Sequence, residues 1–278
     1  MLRQRVVTAL ILAAGFIAVL LFAPFTVQAA VFGCIAAAGA WEWAALAGWR
    51  SAWARALYAA IFLGLCAGLW VFCDLLGAEP VARVRPWLAG AALLWSAMLV
   101  GLRSYPGGRW IWSRAVVRLL MGWAMLSATW LAVVFTLRLV NGPFVLFTMI
   151  LTIAVADIGA YFVGRQFGRH RLAESISPAK TWEGFWGGLL AVTALAVLIW
   201  ANLPLTLLHL GLGSLIALAI ATGGASVVGD LTVSLVKREV GVKDSGTLLP
   251  GHGGLMDRLD SICGAAPVFA FGLILVGY

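Results

Sequence analysis

The chain has 278 residues, of which 63% are hydrophobic and only 11% are charged, and its mean hydropathy is +1.02. Soluble globular domains carry about 25% charged residues, so the composition excludes that class and indicates an integral membrane protein. The formal net charge is +8. Because the basic residues lie in alternate loops and not on one face of a domain, this charge does not predict a nucleic-acid partner.

Apolar segments long enough to cross a bilayer, which takes about 20 residues, recur along the whole chain. They predict an all-α, polytopic membrane protein with about nine transmembrane helices. The predicted spans are residues 6–27, 28–47, 54–75, 86–102, 115–137, 143–163, 184–203, 211–236 and 259–277. We interpret the first span as an uncleaved helix and not as a signal peptide, because its apolar run is long and further spans follow.

The distribution of Lys and Arg between the loops predicts the orientation of these spans. If the N-terminus is cytoplasmic, the cytoplasmic side receives Arg3, Arg5, Arg50, Arg55, Arg103, Arg109, Arg114, Arg118, Arg165, Arg169, Arg171, Lys180, Lys237, Arg238 and Lys243. The outer side then receives only Arg83, Arg85 and Arg138. The positive-inside rule therefore favours a cytoplasmic N-terminus, an outer C-terminus and cytoplasmic loops near residues 50, 109, 175 and 245.

Polar residues divide the chain into two parts of one membrane-embedded unit. Residues 1–140 are spans rich in Trp and Ala with short loops, which predict a scaffold. Residues 141–278 contain nearly all the polar groups that indicate chemistry, and we expect this part to be catalytic. Glu42, in AWEWAAL, is an exception in the first part. An acid near a helix end can sit at headgroup level, whereas a buried acid in a span is a functional candidate, and both interpretations stay open.

Asp230 lies inside the apolar segment 211–236, where an ionised carboxylate is costly unless it has partners or lines a wet cavity. Ser226, Asp230, Ser234 and Lys237 recur at helical spacing, so they share one helix face that must be turned towards protein or water. One interpretation is structural, with Asp230 neutralising Lys237 across two turns. The other is a functional site.

Asp257 and Asp260 are three residues apart at the start of the last span and also share a helix face. The helix dipole favours acids at this position, so a purely structural role is the alternative. Three carboxylates from two helices joined by a short loop can converge, and oxygen ligands of this kind suit magnesium. The predicted metal ligands are Asp230, Asp257 and Asp260.

The loop between these two helices supplies positive charge and free backbone N–H groups. Lys237, Arg238 and Lys243 are cations available to phosphate oxygens. The segment PGHGG at residues 250–254 lets backbone N–H groups approach an anion, and it leads directly into a helix N-terminus. Three cations, three acids and a glycine-rich loop within residues 230–260 therefore predict a site that binds phosphate groups.

A second polar loop, residues 164–184, precedes another span. Ser177 and Pro178 predict the N-cap and the first residue of a helix. Such a helix start favours anions, and its polar residues are Lys180, Thr181 and Glu183. We favour a functional role for Asp157, in the preceding span, and for Lys180.

Four segments of the second half resemble one known family, the phosphatidate cytidylyltransferases or CDP-diacylglycerol synthases. The signature S-x-x-K-R-x4-K-D-x5-P-G-H-G-G-x-x-D-R-x-D spans residues 234–260. ADIGAYFVGRQFG resembles the family's ADxGAYxxG segment, and SPAKTWEG resembles its SPxKTxxG loop. ASVVGDLTVSLVKRE resembles the helix that carries its buried aspartate. Departures at Ile158 and Ala179 are small, and the early AWEW is also similar to the family.

The resemblance implies a multi-pass enzyme of the bacterial inner membrane that joins CTP and phosphatidic acid to give CDP-diacylglycerol and pyrophosphate. It implies a homodimer among membrane lipids, no nucleic acid, dependence on Mg2+ with K+ as a further candidate cation, and an active site that faces the cytoplasm. The expected catalytic residues are Asp230, Asp257, Asp260 and Lys237. The expected substrate-binding residues are Asp157, Ser177, Lys180, Thr181, Glu183, Ser234, Arg238, Lys243, Asp244, His252, Gly253, Gly254 and Arg258.

Two other functions stay open. A nucleotidyl- or phosphotransferase acting on an isoprenoid lipid is the closer alternative. A membrane transporter also places acids near the bilayer midplane, but it requires an outer opening, and the outer loops here carry few charges.

Overall fold

The computed structural model describes residues 2–249 and 253–278, and it is almost entirely helical. The helices are α1 (Leu2–Phe22), α2 (Phe25–Leu46), α3 (Ala52–Phe72), α4 (Pro80–Ser104), α5 (Arg109–Trp112), α6 (Ala115–Arg138), α7 (Gly142–Phe167), α8 (Trp182–Ala201), α9 (Leu212–Glu239) and α10 (Met256–Leu275). A β-hairpin between α7 and α8 consists of β1 (Arg171–Ala173) and β2 (Ser177–Thr181), and a 3-10 turn precedes α9.

The predicted all-α, polytopic membrane fold is confirmed. In the part of the chain that the structure describes, eight helices are long and apolar enough to cross a bilayer, namely α2, α3, α4, α6, α7, α8, α9 and α10. In α1, the described residues contain the apolar segment Ala13–Phe22, which is shorter than the other eight. Each of the nine predicted spans overlaps one of these helices in the same order, and the short helix α5 lies in a predicted loop.

Buried hydrogen bonds tie α2 and α3 to the start of α6, which is the most buried of the spans. Trp43 Nε1 donates to the Arg118 carbonyl at 2.7 Å, and the Tyr58 hydroxyl donates to the Leu119 carbonyl at 2.6 Å. The Arg118 guanidinium donates in turn to the Ala47 carbonyl at 3.4 Å. The loop near residue 50 therefore lies at the same end of the bundle as the start of α6.

Three more loops meet at that end. The Glu239 carboxylate, at the end of α9, accepts a hydrogen bond from the Tyr105 hydroxyl at 2.8 Å and lies 3.1 Å from Arg109 Nε. Burial and this hydrogen bond raise the pKa of Tyr105, so the hydroxyl keeps the proton that it donates. Arg238 Nε donates to the Ile176 carbonyl in the hairpin at 3.2 Å. The loops predicted to share one membrane face thus lie together.

The remaining loops lie at the opposite end of the bundle. Arg138 Nε donates to the Leu75 carbonyl at 3.2 Å, which joins the α3–α4 loop to the end of α6. The Asn141 amide lies 2.6 Å from the Thr206 hydroxyl, which joins the α6–α7 loop to the α8–α9 loop. Described polar contacts therefore divide the loops into the same two groups that their charges predict.

The predicted helix start at Ser177 and Pro178 is wrong, because both residues belong to strand β2. Helix α8 begins at Trp182, and its N-cap is Thr181, whose hydroxyl oxygen accepts a hydrogen bond from the Gly184 N–H at 3.2 Å. Strand pairing with β1 holds the residues before Thr181 in an extended conformation. The Ser-Pro pair resembles a helix start, but the cap comes four residues later.

Helices α9 and α10 pack with their backbones in direct contact. A Cβ atom added at Gly264 would lie 2.1 Å from the Ala225 carbonyl oxygen, and one added at Gly229 would lie 2.4 Å from the Asp260 carbonyl oxygen. The backbones can approach this closely only because each helix has a glycine, which lacks a side chain, at the contact. The turn of α9 that carries Asp230 is thereby held against the turn of α10 that carries Asp260.

We expect Gly264→Ala to force α9 and α10 apart and to lower the free energy of unfolding by about 1–3 kcal/mol, the usual cost of overpacking. Gly224→Ala is the matched control, because no atom lies within 4 Å of a Cβ atom at that position of α9. Thermal unfolding of both variants in detergent measures the difference. Equal unfolding temperatures for the two variants would show that the helices can separate without cost.

Candidate active site

Two ion pairs mark the polar end of the bundle. The Lys180 ammonium, on strand β2, pairs with the Asp230 carboxylate, and Lys237 Nζ lies 2.7 Å from Asp257 Oδ1. The other Asp230 oxygen accepts a hydrogen bond from the Ser234 hydroxyl at 3.1 Å. The structural interpretation in which Asp230 neutralises Lys237 is therefore wrong. Each aspartate pairs with a lysine from a different segment of the chain.

Asp257 is fixed by a cation and by two backbone N–H groups. Its Oδ2 atom accepts hydrogen bonds from the Ser245 N–H at 2.9 Å and from the Gly254 N–H at 3.2 Å. The side chains of Asp257 and Lys237 are each only 12% exposed. Charge-assisted hydrogen bonds of this kind are stronger than neutral ones, so Ser245 and Gly254 are both held at this carboxylate.

Glu42 lies directly behind this loop, with 1% of its surface exposed. Its Oε2 atom accepts hydrogen bonds from the Ser245 hydroxyl at 3.0 Å and from the Met256 N–H at 2.9 Å. Its Oε1 atom accepts a longer one from the Leu248 N–H at 3.4 Å. Glu42 is thus a buried acid near the end of α2, which is the condition that the functional interpretation set. One signal in the sequence indicated it, the likeness of AWEW to the family.

The hairpin that carries Lys180 is closed by Glu183. The Glu183 carboxylate accepts hydrogen bonds from the N–H groups of Arg169 and His170 at 3.1 and 3.2 Å, and it lies 2.6 Å from His170 Nδ1. Glu183 therefore holds the two ends of the hairpin together. In the structure, this carboxylate contacts the chain's own backbone, so it positions the hairpin.

A cavity of 630 Å3 opens between α7, the hairpin and the start of α8. This volume is within the range of about 300–1,000 Å3 that is typical of ligand sites. Its lining combines cations, hydroxyl groups and one acid with aromatic rings. The polar and aromatic lining residues are Asp157, Tyr161, Arg165, Arg171, Ser177, Lys180, Thr181 and Phe185. Positive charge dominates, so an anionic ligand suits the cavity.

A second cavity, of 240 Å3, lies between α7 and α10. It is lined by Asp157, Asp257, Arg258, Asp260 and Ser261 together with apolar residues. Asp157 lines both cavities, so this carboxylate lies between the basic cavity and the acidic cavity. Of the three acids expected to converge, Asp257 and Asp260 line this cavity, whereas Asp230 does not and pairs with Lys180.

Comparison with known proteins agrees with this site. The model of the cytidylyltransferase family matches residues 3–276. The chain belongs to this family. It is 38% identical over 285 residues to the phosphatidate cytidylyltransferase of Haemophilus influenzae, with 98% of each chain covered, and 37% identical to that of Pseudomonas aeruginosa, with 100% and 99% covered. The phosphatidate cytidylyltransferase of Synechocystis is 45% identical over 144 residues, 49% of this chain.

The remaining predicted residues lie around the same end of the bundle. Lys243 and Asp244 are exposed in the loop before α10, and Gly253 has a left-handed φ of +83° between the side chains of Asp244 and Asp257. His252 lies outside the described residues, as do its two predecessors. The Arg238 guanidinium contacts the hairpin backbone, and this contact aligns the hairpin with α9.

The carboxylates of this cytidylyltransferase site have the chemistry that magnesium requires. Within residues 2–249 and 253–278, no group of three or more His, Cys, Asp or Glu side chains is arranged as a ready metal cluster. Magnesium, however, is usually bound by one or two carboxylates, waters and substrate phosphates, so a complete protein cage is not needed. Asp257 and Asp260 line one cavity and supply hard oxygen donors of this kind. The residues present therefore fit the ion.

We expect the Lys237–Asp257 pair to show strong coupling in a double-mutant cycle. Lys237→Met leaves a largely buried carboxylate without its cation, and Asp257→Asn leaves a largely buried ammonium, so each single change should lower the free energy of unfolding by about 3 kcal/mol. The double variant should lose clearly less than the sum. Chemical unfolding in detergent measures all four proteins. Additive losses would mean that the ion pair contributes nothing to the fold.

Proposed function

We propose that this chain is a phosphatidate cytidylyltransferase, which transfers the cytidylyl group of CTP to phosphatidic acid and releases pyrophosphate. Membership in the cytidylyltransferase family and full-length identity to relatives of that name support this function. The observation that carries it is the pair of cavities at the polar end of the bundle, one basic and one acidic, which share Asp157. A site for two phosphate-bearing substrates needs a basic region that binds phosphate groups and an acidic region that can hold a divalent cation.

The reaction brings two anions together. An oxygen of the phosphatidate phosphate forms a bond to the α-phosphorus of CTP, while the bond from that phosphorus to the bridging oxygen of pyrophosphate breaks. Positioning and charge neutralisation are most of what such a transfer requires. Arg165, Arg171 and Lys180 line the larger cavity and supply positive charge where phosphate groups would meet.

Lys180 and Lys237 have a further part in this proposal. Each ammonium is paired with an aspartate that belongs to the expected site, Asp230 and Asp257 respectively. A bound triphosphate offers these lysines new anionic partners, and the carboxylates are then released. When bound, magnesium would neutralise phosphate charge as a Lewis acid, and Asp257 and Asp260 with Asp230 would hold it.

The larger cavity also suits a lipid substrate. Tyr161 and Phe185 contribute aromatic surface to its lining. The neighbouring side chains of Phe162 and Trp186 are exposed on α7 and α8, where the bilayer would surround the bundle. A phosphate headgroup can therefore reach the cations while acyl chains stay in the membrane. This arrangement favours phosphatidic acid over a fully water-soluble phosphate acceptor.

Turnover of labelled CTP by the purified protein tests the function. We expect CDP-diacylglycerol with phosphatidic acid, little product with an isoprenoid phosphate, and loss of turnover when EDTA removes divalent cations. Asp257→Asn keeps the side-chain shape and removes the charge, so turnover should fall by about a hundredfold or more, and added magnesium should restore little of it. Near-normal turnover of Asp257→Asn would contradict the proposed role of this carboxylate. Product only with the isoprenoid acceptor would replace the proposed substrate.

We further propose that the site faces the cytoplasm of a bacterial cell from the inner membrane, in a homodimer. In a variant without native cysteines, Val242→Cys in the exposed loop before α10 should react with a membrane-impermeant maleimide only after cells are permeabilised. Leu205 is 86% exposed at the opposite end, so Leu205→Cys should react with the same maleimide in intact cells. The reverse pattern would invert the topology. Mass measurement in detergent tests the dimer.

A further inference from the structure

Ser245 connects two acidic side chains that lie on opposite sides of one loop. Its backbone N–H donates to Asp257 at 2.9 Å, and its hydroxyl donates to Glu42 at 3.0 Å. Glu42 also accepts from the N–H of Met256, the residue immediately before Asp257. The carboxylate on α2 therefore contacts both sides of the backbone that holds Asp257, although the two acids are more than 200 residues apart in the chain.

Two glycines make room for Glu42. A Cβ atom added at Gly246 would lie 2.3 Å from Glu42 Oε1, and one added at Gly254 would lie 2.7 Å from Glu42 Oε2. Neither glycine has the positive φ that would by itself favour glycine. Space for this carboxylate is therefore the reason that the structure gives for Gly246, whereas a Cβ atom at Gly254 would first meet the Ser245 hydroxyl, at 1.9 Å. We therefore expect residues 245–249 to lose this arrangement when the carboxylate is absent.

The surroundings of Glu42 suit a hydrogen-bond acceptor. Its described partners are all donors, two N–H groups and one hydroxyl, which suit an acceptor-only carboxylate. The first turn of α10 presents its N-terminal dipole to Glu42, and Arg55 interacts with it electrostatically. A buried charge is costly unless it is paired in this manner, so retaining it within a scaffold helix requires a compensating role.

We infer that Glu42 is a positioning residue for the transfer reaction. It fixes residues 245–249 and the start of α10, so that the backbone N–H groups of Ser245 and Gly254 hold Asp257 towards Lys237 and the acidic cavity. This role rests on the proposed function, because it concerns the same site. Glu42 acts through Ser245 and the loop and does not line either cavity.

Glu42→Gln tests the inference. The amide keeps the size of the side chain, but it turns one acceptor into a donor that faces other donors. We expect kcat to fall by about 10–100-fold, as for other residues that orient the groups of a site without contacting the substrate. The KM for CTP should change less. Ser245→Ala, which removes the hydroxyl but keeps the N–H that binds Asp257, should have a smaller effect in the same direction.

Hydrogen exchange gives a readout that does not depend on turnover. In Glu42→Gln, the amides of residues 245–249 should exchange faster than in the parent protein, because the bond from the Leu248 N–H and the fixed loop conformation are lost. Gln28→Leu is the control, since Gln28 is a buried polar residue of the same helix whose amide donates to the Leu20 carbonyl at 3.0 Å. It should lower the unfolding temperature and leave kcat and the exchange of this loop unchanged.

A second cycle tests the fit of the glycine to the carboxylate. Gly246→Ala should lower kcat by a similar factor, whereas in a Glu42→Ala background it should add little, because the clash is gone. Parent-like kcat and parent-like loop exchange in Glu42→Gln would overturn the inference, as would an equal loss of kcat in Gln28→Leu. If the parent protein makes no CDP-diacylglycerol, the proposed function fails, while loop exchange still decides whether Glu42 holds the loop.

Discussion

The structure depends on how carboxylates are accommodated inside an apolar bundle. An unpaired carboxylate within a span costs about 2.5–3.5 kcal/mol on insertion scales, so each of these acids needs a partner. Asp230 pairs with Lys180 of the hairpin, and Asp257 pairs with Lys237 of α9. Glu42 accepts hydrogen bonds from the loop before α10. The partners of Asp230 and Glu42 come from segments far from these acids in the chain. The contacts that pair these buried charges therefore hold the segments at the polar end of the bundle together.

Close helix packing makes this pairing possible. Glycines allow it between α9 and α10 and between α7 and α8. In α9 and α10, Gly229 and Gly264 bring the backbones together beside Asp230. In α7 and α8, a Cβ atom at Gly188 would lie 2.7 Å from the Ala156 carbonyl oxygen, one residue before Asp157 in the chain. In a membrane, where apolar side chains gain little by leaving lipid, such contacts are a main source of helix association. The same contacts set the spacing of the site.

Hydropathy, loop charge and motif spacing predicted the spans, the division of the loops between two ends, and the residues that surround the site. They could not predict the pairing of Lys180 with Asp230, because helical spacing on α9 relates Asp230 only to residues of its own helix. The hairpin was missed since Ser177 and Pro178 also occur at helix starts, and only strand pairing distinguishes the two cases. Glu42 stayed ambiguous because its burial depends on a loop that follows about 200 residues later.

The two lysine–aspartate pairs have a consequence for how a site of this kind works. A cavity with free lysines would be held open by like charges, and free aspartates would repel a phosphate ligand. Pairing Lys180 with Asp230 and Lys237 with Asp257 removes both problems, so a stable fold can be kept without substrate. On the proposed function, a ligand that brings several negative charges together with a divalent cation would offer new partners to both pairs at once. A singly charged ligand would not, so on this proposal the pairs favour a metal-bound polyphosphate.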